Sequence, residues 1–101
     1  MKAKPRMSGK MRSVLQTEKE CIYCGTTLNL QEHHIFRTPY RDKSEQYGLK
    51  VWLCAEHHTG ANGVHGGNEW LNRQLKIMAQ QHFEDYYSRE KFIEEFGESY
   101  L

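Results

Sequence analysis

Two pairs of soft ligands govern what this chain can fold into. Cys21 and Cys24 are separated by two residues and followed by Gly25, a knuckle that lets two thiolates point at one ion. Cys54 and His57 repeat that spacing, Cys54 standing thirty residues after Cys24. Together they form a Cys3His set, and four N/S donors fill the coordination sphere of a structural zinc. His58 is the alternative fourth ligand, although the equal spacing of the two halves favours His57. Disulfides are a poorer use of these residues, because the three cysteines cannot all pair within one chain.

A staple of this kind suits the composition. The chain has 101 residues, 38% hydrophobic and 27% charged, with a mean hydropathy of −0.86. Such a length supports one domain, and so thin an apolar inventory calls for extra support, which a bound metal can supply. No apolar run approaches the ~20 residues of a membrane span, and "MKAKPRMSGKMRS" has no core for a signal peptide. We therefore expect an intracellular, cytoplasmic protein with no membrane partner. The net charge of +1 says little. Its distribution says more: Lys2, Lys4, Arg6, Lys10 and Arg12 make the start basic, whereas six acids stand against two bases from Glu84 to Leu101. Residues 1–19 read as a flexible basic arm able to lie along a phosphate backbone, and residues 20–101 as a single domain.

Along the chain, "CIYCGTTLNL" reads as the knuckle and a short extended piece, "EHHIF" as a strand, "RTPYRDKSEQYG" as a polar connection and "LKVWL" as a second strand. The glycines from Gly60 to Gly67 exclude a long helix after Cys54. Asn68 is placed to cap a helix in which Leu71, Leu75, Met78, His82, Phe83 and Tyr86 recur at three- and four-residue steps. Ser88 can cap a last helix with Phe92, Ile93 and Phe96 inside and Gly97 as its stop. The expected class is α+β: knuckle, two short antiparallel strands, metal-rich loop, long helix, short final helix.

Four histidines remain outside the sulfur set and the helix: His33, His34, His58 and His65. Neighbouring residues on a strand point to opposite faces, so the His33–His34 doublet divides its labour. One member can bind a metal while the other, titrating near neutral pH, takes a proton from water.

The "EHHI" at 32–35, the preceding C-x-x-C knuckle, and "WLCAEHH" followed by His65 together resemble the zinc-knuckle branch of the HNH endonucleases, the ββα-metal nucleases. The resemblance covers about residues 21–75. It implies a fold of two strands and a helix around a divalent ion, with His33 as a ligand, His34 as the general base, His58 as the second ligand and His65 as a candidate third. It implies hydrolysis of phosphodiesters in duplex DNA, and, because small free-standing members are frequent in phage genomes, a role in phage DNA processing in a bacterial host, with a phage protein as a candidate partner. The chain departs from the family at Leu49, where the family has an asparagine that ties down the loop between the strands, and in the seven-residue step from His58 to His65.

The ligands leave Mg2+, Mn2+, Ni2+ and Zn2+ open as the catalytic ion: imidazoles favour the later metals, while Glu32 as an acidic neighbour suits the earlier ones. Arg37, Arg41, Lys43 and Lys50 lie on or near the connection between the strands and are candidate phosphate contacts, against the plainer reading of a solvated charged loop. Tyr47, Trp52 and Trp70 are read as core. A non-catalytic zinc module that binds nucleic acid or a protein is the alternative function.

Overall fold

The computed structural model describes residues 12–101. Strand β1 (Leu30–His34) pairs antiparallel with β2 (Lys50–Cys54) in a two-stranded sheet. The register sets His33 opposite Val51 and His34 opposite Lys50. Because directly opposed residues share a face and successive ones alternate, His33 and His34 project to opposite sides, as the doublet predicts.

The connection between the strands is more ordered than its polar sequence indicates. It contains helix α1 (Arg41–Gln46), and Ser44, 0% exposed, ties both ends of the connection together. The Ser44 hydroxyl accepts from Phe36 N at 3.2 Å and donates to Leu49 O at 2.5 Å. Ile35 N also donates to Leu49 O, at 3.1 Å. Leu49 itself is core. Tying the loop is thus done by a serine on α1, and the leucine at 49 is free to pack.

The outer edge of β2 is occupied by the segment read as the end of a flexible arm. Ser13 Oγ donates to Lys50 O, Gln16 Oε1 accepts from Trp52 N at 2.9 Å, and Ile22 N donates to Trp52 O at 2.9 Å. These bonds satisfy the edge groups that a two-stranded sheet otherwise leaves open. Ser13 and Gln16, which fall inside the expected arm, thus lie against β2, and the arm's basic beginning, residues 1–11, lies outside the described residues.

After helix α2 (Ala55–His58) and the glycine loop, α3 (Glu69–Glu84) starts where Asn68 accepts from Leu71 N at 3.0 Å. Its buried face is Leu71, Asn72, Leu75, Ala79, Gln80 and Phe83. Tyr86 lies beyond the helix end and is exposed, and Trp70, one 100° step before the stripe, is 62% exposed rather than core. Helix α4 (Arg89–Phe96), capped by Ser88, buries Phe92 and Phe96 against Phe36 and Phe83. Ile93 is a further correction. It stands a quarter turn off that line and is exposed. Gln80, fully buried, donates to Ser99 Oγ and Glu84 and accepts from Tyr100 N, fastening the C-terminal residues to α3. No helix among the described residues is long and apolar enough to cross a membrane.

Candidate metal centres

The knuckle is closed by Gly25 N donating to Cys21 O and Cys21 N to Thr26 O, both at 2.8 Å. Cys54 ends β2, and α2 begins at the next residue, so His57 comes round one turn later on the same side. The donors converge: Cys24 Sγ to Cys54 Sγ is 3.8 Å, Cys54 Sγ to His57 Nδ1 is 3.2 Å and Cys21 Sγ to His57 Nδ1 is 3.9 Å. Ligands about 2.1 to 2.3 Å from a tetrahedral ion stand roughly 3.5 to 3.8 Å from one another. Sulfurs 3.8 Å apart are not a disulfide, and all three cysteines are free. Cys21, Cys24, Cys54 and His57 can therefore hold a metal ion. His57, not His58, is the fourth member.

Charge is prepared at this cluster. Burial pushes the Cys21 thiol up, but backbone N–H groups of Cys24, Cys54 and Tyr23, together with His57, outweigh it and bring it down to about 6. Cys24 goes the other way: a backbone contact at Thr26 lowers it, yet partial desolvation and the sulfurs of Cys21 and Cys54 prevail and raise it. Crowded sulfurs that resist ionising together are what a bound cation relieves.

The second cluster is assembled from three places. The pleat of β1 turns His33 toward α2, α2 carries His58, and the glycine loop folds back to deliver His65. The return is made by Val64 N to His57 O at 3.1 Å and His65 N to His58 O at 2.9 Å. Only glycine permits it at position 63, where a Cβ would lie 2.6 Å from the His58 carbonyl. This fold-back answers the seven-residue step. Ring centroids stand 5.1 Å (His33–His58), 5.4 Å (His33–His65) and 4.7 Å (His58–His65) apart, and one nitrogen from each lies within 4.8 Å of the others.

The three rings are kept neutral. Burial first, then His58, His65, Arg37 and His34, push His33 down to about 3. Burial and His65 lower His58, while burial and Arg37 lower His65. His33 Nε2 is buried without a hydrogen-bond partner among the described residues. A neutral, desolvated imidazole with an unused nitrogen is suited to a metal. His58 Nδ1 meets Gln31 Oε1 at 2.6 Å, so it carries the proton and its Nε2 keeps the lone pair.

On the opposite face of the sheet, His34 Nε2 lies 2.7 Å from Glu45 Oε1 of α1. Lys50 Nζ reaches both Glu45 oxygens at 3.0 Å and Glu32 Oε2 at 3.2 Å. Glu32, His34 and Glu45 are grouped closely enough for an ion, but the Lys50 ammonium already sits against both carboxylates.

These contacts sort the expected phosphate contacts. Arg37 and Arg41 line one cleft of about 330 Å³ with His33, His34, His58 and His65. Lys43 instead pairs with Glu95 of α4 at 3.0 Å. Lys50 is corrected: only 2% exposed and held between two glutamates, it has no free ammonium to offer a phosphate. The sequence reading missed Gln31 and Glu45. Gln31 was within reach, since it shares its strand face with His33, whereas Glu45 depends on α1 folding under β1. In comparisons with known proteins, no family model, no curated protein and no solved structure matches the chain.

Proposed function

We propose that the chain is a metal-dependent endonuclease that hydrolyses DNA phosphodiesters, with a zinc ion on Cys21, Cys24, Cys54 and His57 as its staple and a divalent ion on His33, His58 and His65. The observation that carries the reading is the cleft in which three neutral imidazoles converge while a fourth, His34, is held apart from them by a carboxylate. When bound, the divalent ion supplies Lewis-acid chemistry, neutralising charge on the scissile phosphate and stabilising the leaving 3′ oxygen.

The remaining chemistry belongs to the chain. A carboxylate held by Lys50 only accepts, so His34 donates from Nε2 to Glu45 and keeps its lone pair on Nδ1. That nitrogen takes the proton from the attacking water. Arg37 and Arg41 supply positive charge along the same wall. Phage DNA processing in the cytoplasm of a bacterial host, with duplex DNA as substrate and a phage protein as an additional partner, is the setting that the HNH resemblance gives this chemistry.

The test is supercoiled plasmid incubated with the protein and Mg2+, Mn2+, Ni2+ or Zn2+. Nicking by the intact chain that disappears in His34→Ala is the expected result. No nicking with any of these ions, from protein that retains its zinc, overturns the enzyme and leaves a non-catalytic zinc module.

A further inference from the structure

The three imidazoles are not equally ready for an ion. Arg37 Nη1 lies 2.7 Å from His65 Nδ1. A guanidinium is donor-only and stays protonated. It therefore binds the lone pair of Nδ1, and the His65 proton sits on Nε2. His58 is set the other way, with Nδ1–H on Gln31 and the lone pair on Nε2.

We propose that Arg37 and the divalent ion compete for His65, so that loading the ion releases the Arg37 guanidinium to the phosphate of the substrate. The proposal rests on the reading that His33, His58 and His65 share one ion. A neutral imidazole has one lone pair. If the ion takes Nε2, the proton moves to Nδ1 and two N–H donors face each other; if it takes Nδ1, the lone pair is already used. Either way the bond to Arg37 breaks.

The freed group is well placed. Arg37 is exposed, lines the cleft and pairs with no carboxylate among the described residues. Ion and phosphate then bind cooperatively, and the coupling is reciprocal. In the ion-free protein Arg37 is engaged by His65 and competes poorly for DNA.

Calorimetric titration of Ni2+ into the zinc-loaded chain tests the first half. Arg37→Ala removes the competitor and is expected to bind Ni2+ roughly five-fold more tightly. Loss of a positive charge alone has the same sign, so Arg41→Ala, which removes a charge from the same cleft without touching His65, is the control. The gain must exceed that of Arg41→Ala and vanish when His65→Ala is already present. An equal gain in Arg41→Ala, or one that persists without His65, overturns the competition. If the intact chain takes up no Ni2+ beyond its zinc, the shared-ion reading falls and the proposal falls with it.

Binding of a short DNA duplex by His34→Ala, followed by fluorescence anisotropy with and without Ni2+, tests the release. Loading is expected to steepen the salt dependence by about one phosphate contact more in His34→Ala than in His34→Ala/Arg37→Ala. Identical steepening in the two overturns it.

Discussion

His33 is 1% exposed, and in the ion-free protein its ring is buried neutral. Its folded value is depressed from 6.5 to about 3. Between these values the unfolded chain binds a proton that the folded chain refuses, so stability rises with pH across the window and is lost as pH falls from 6.5. The loss approaches about 1.4 kcal/mol per pH unit. Denaturant unfolding of wild type beside His33→Leu, with zinc retained and no other divalent ion, is expected to show wild type losing ground between pH 7 and 5.5; a difference that stays constant with pH contradicts the assignment. His34 makes a separate prediction through Glu45. Glu45→Gln keeps the shape but can present an amide N–H to Nε2, favouring the wrong tautomer. Nicking is expected to fall at least roughly ten-fold, while Ni2+ affinity at the three imidazoles stays where it was. A parallel fall in both would make Glu45 a structural residue only.

At the scale of elements, what the sequence revealed followed from periodicity and spacing. Alternation placed His33 and His34 on opposite faces of β1, and matched two-residue gaps brought Cys21, Cys24, Cys54 and His57 together. Helix α3 was legible from its three- and four-residue steps and its Asn68 cap; Met78 packs half-buried against the core as expected, while Asn72, Ala79 and Gln80 are fully inside the face and His82 is only half-buried. Helix α1 was not legible, because six polar residues carry no apolar stripe and its role rests on two side chains: Ser44, bonded to Phe36 and Leu49 just beyond the strand ends, and Glu45, bonded to His34 and Lys50 on the strands. The docking of residues 13–16 on β2 was hidden for the same reason: backbone edge bonds leave no hydrophobic pattern. The glycine loop lies between these cases, its turns evident and its return path not. Gly63→Ala tests that path. The added Cβ meets the His58 carbonyl at 2.6 Å, and such overpacking costs about 1 to 3 kcal/mol, which for a chain of this size lowers the melting temperature by roughly 5 °C or more. Weaker Ni2+ uptake is expected alongside, since His65 moves with the loop; unaltered melting and uptake would mean that the loop closes some other way.

For the whole molecule, the decisive question is how a chain with so thin a core stays folded. Its main cluster joins Phe36, Phe83, Phe92 and Phe96 to the sheet residues Val51 and Leu53, and it reaches the knuckle through Cys21 and Cys54. The knuckle is otherwise held by few groups: Cys24, Tyr23 and Leu28 are exposed. Small domains are stable by only about 5 to 15 kcal/mol in total, and structural zinc in small modules contributes on the order of 10 kcal/mol. On the proposed assignment the staple is therefore comparable with the entire margin, whereas the histidine-bound ion, added to a face already tied by β1, β2 and α2, is not. The two centres should part cleanly. Cys54→Ala is expected to lose its zinc and its cooperative thermal transition together. His33→Ala is expected to keep one zinc per chain and melt cooperatively, while losing Ni2+ uptake. Atomic absorption on the purified proteins, read beside their melting curves, checks both. A Cys54→Ala chain that melts like wild type would mean that the aromatic cluster alone holds the fold and that the four soft ligands serve something other than stability.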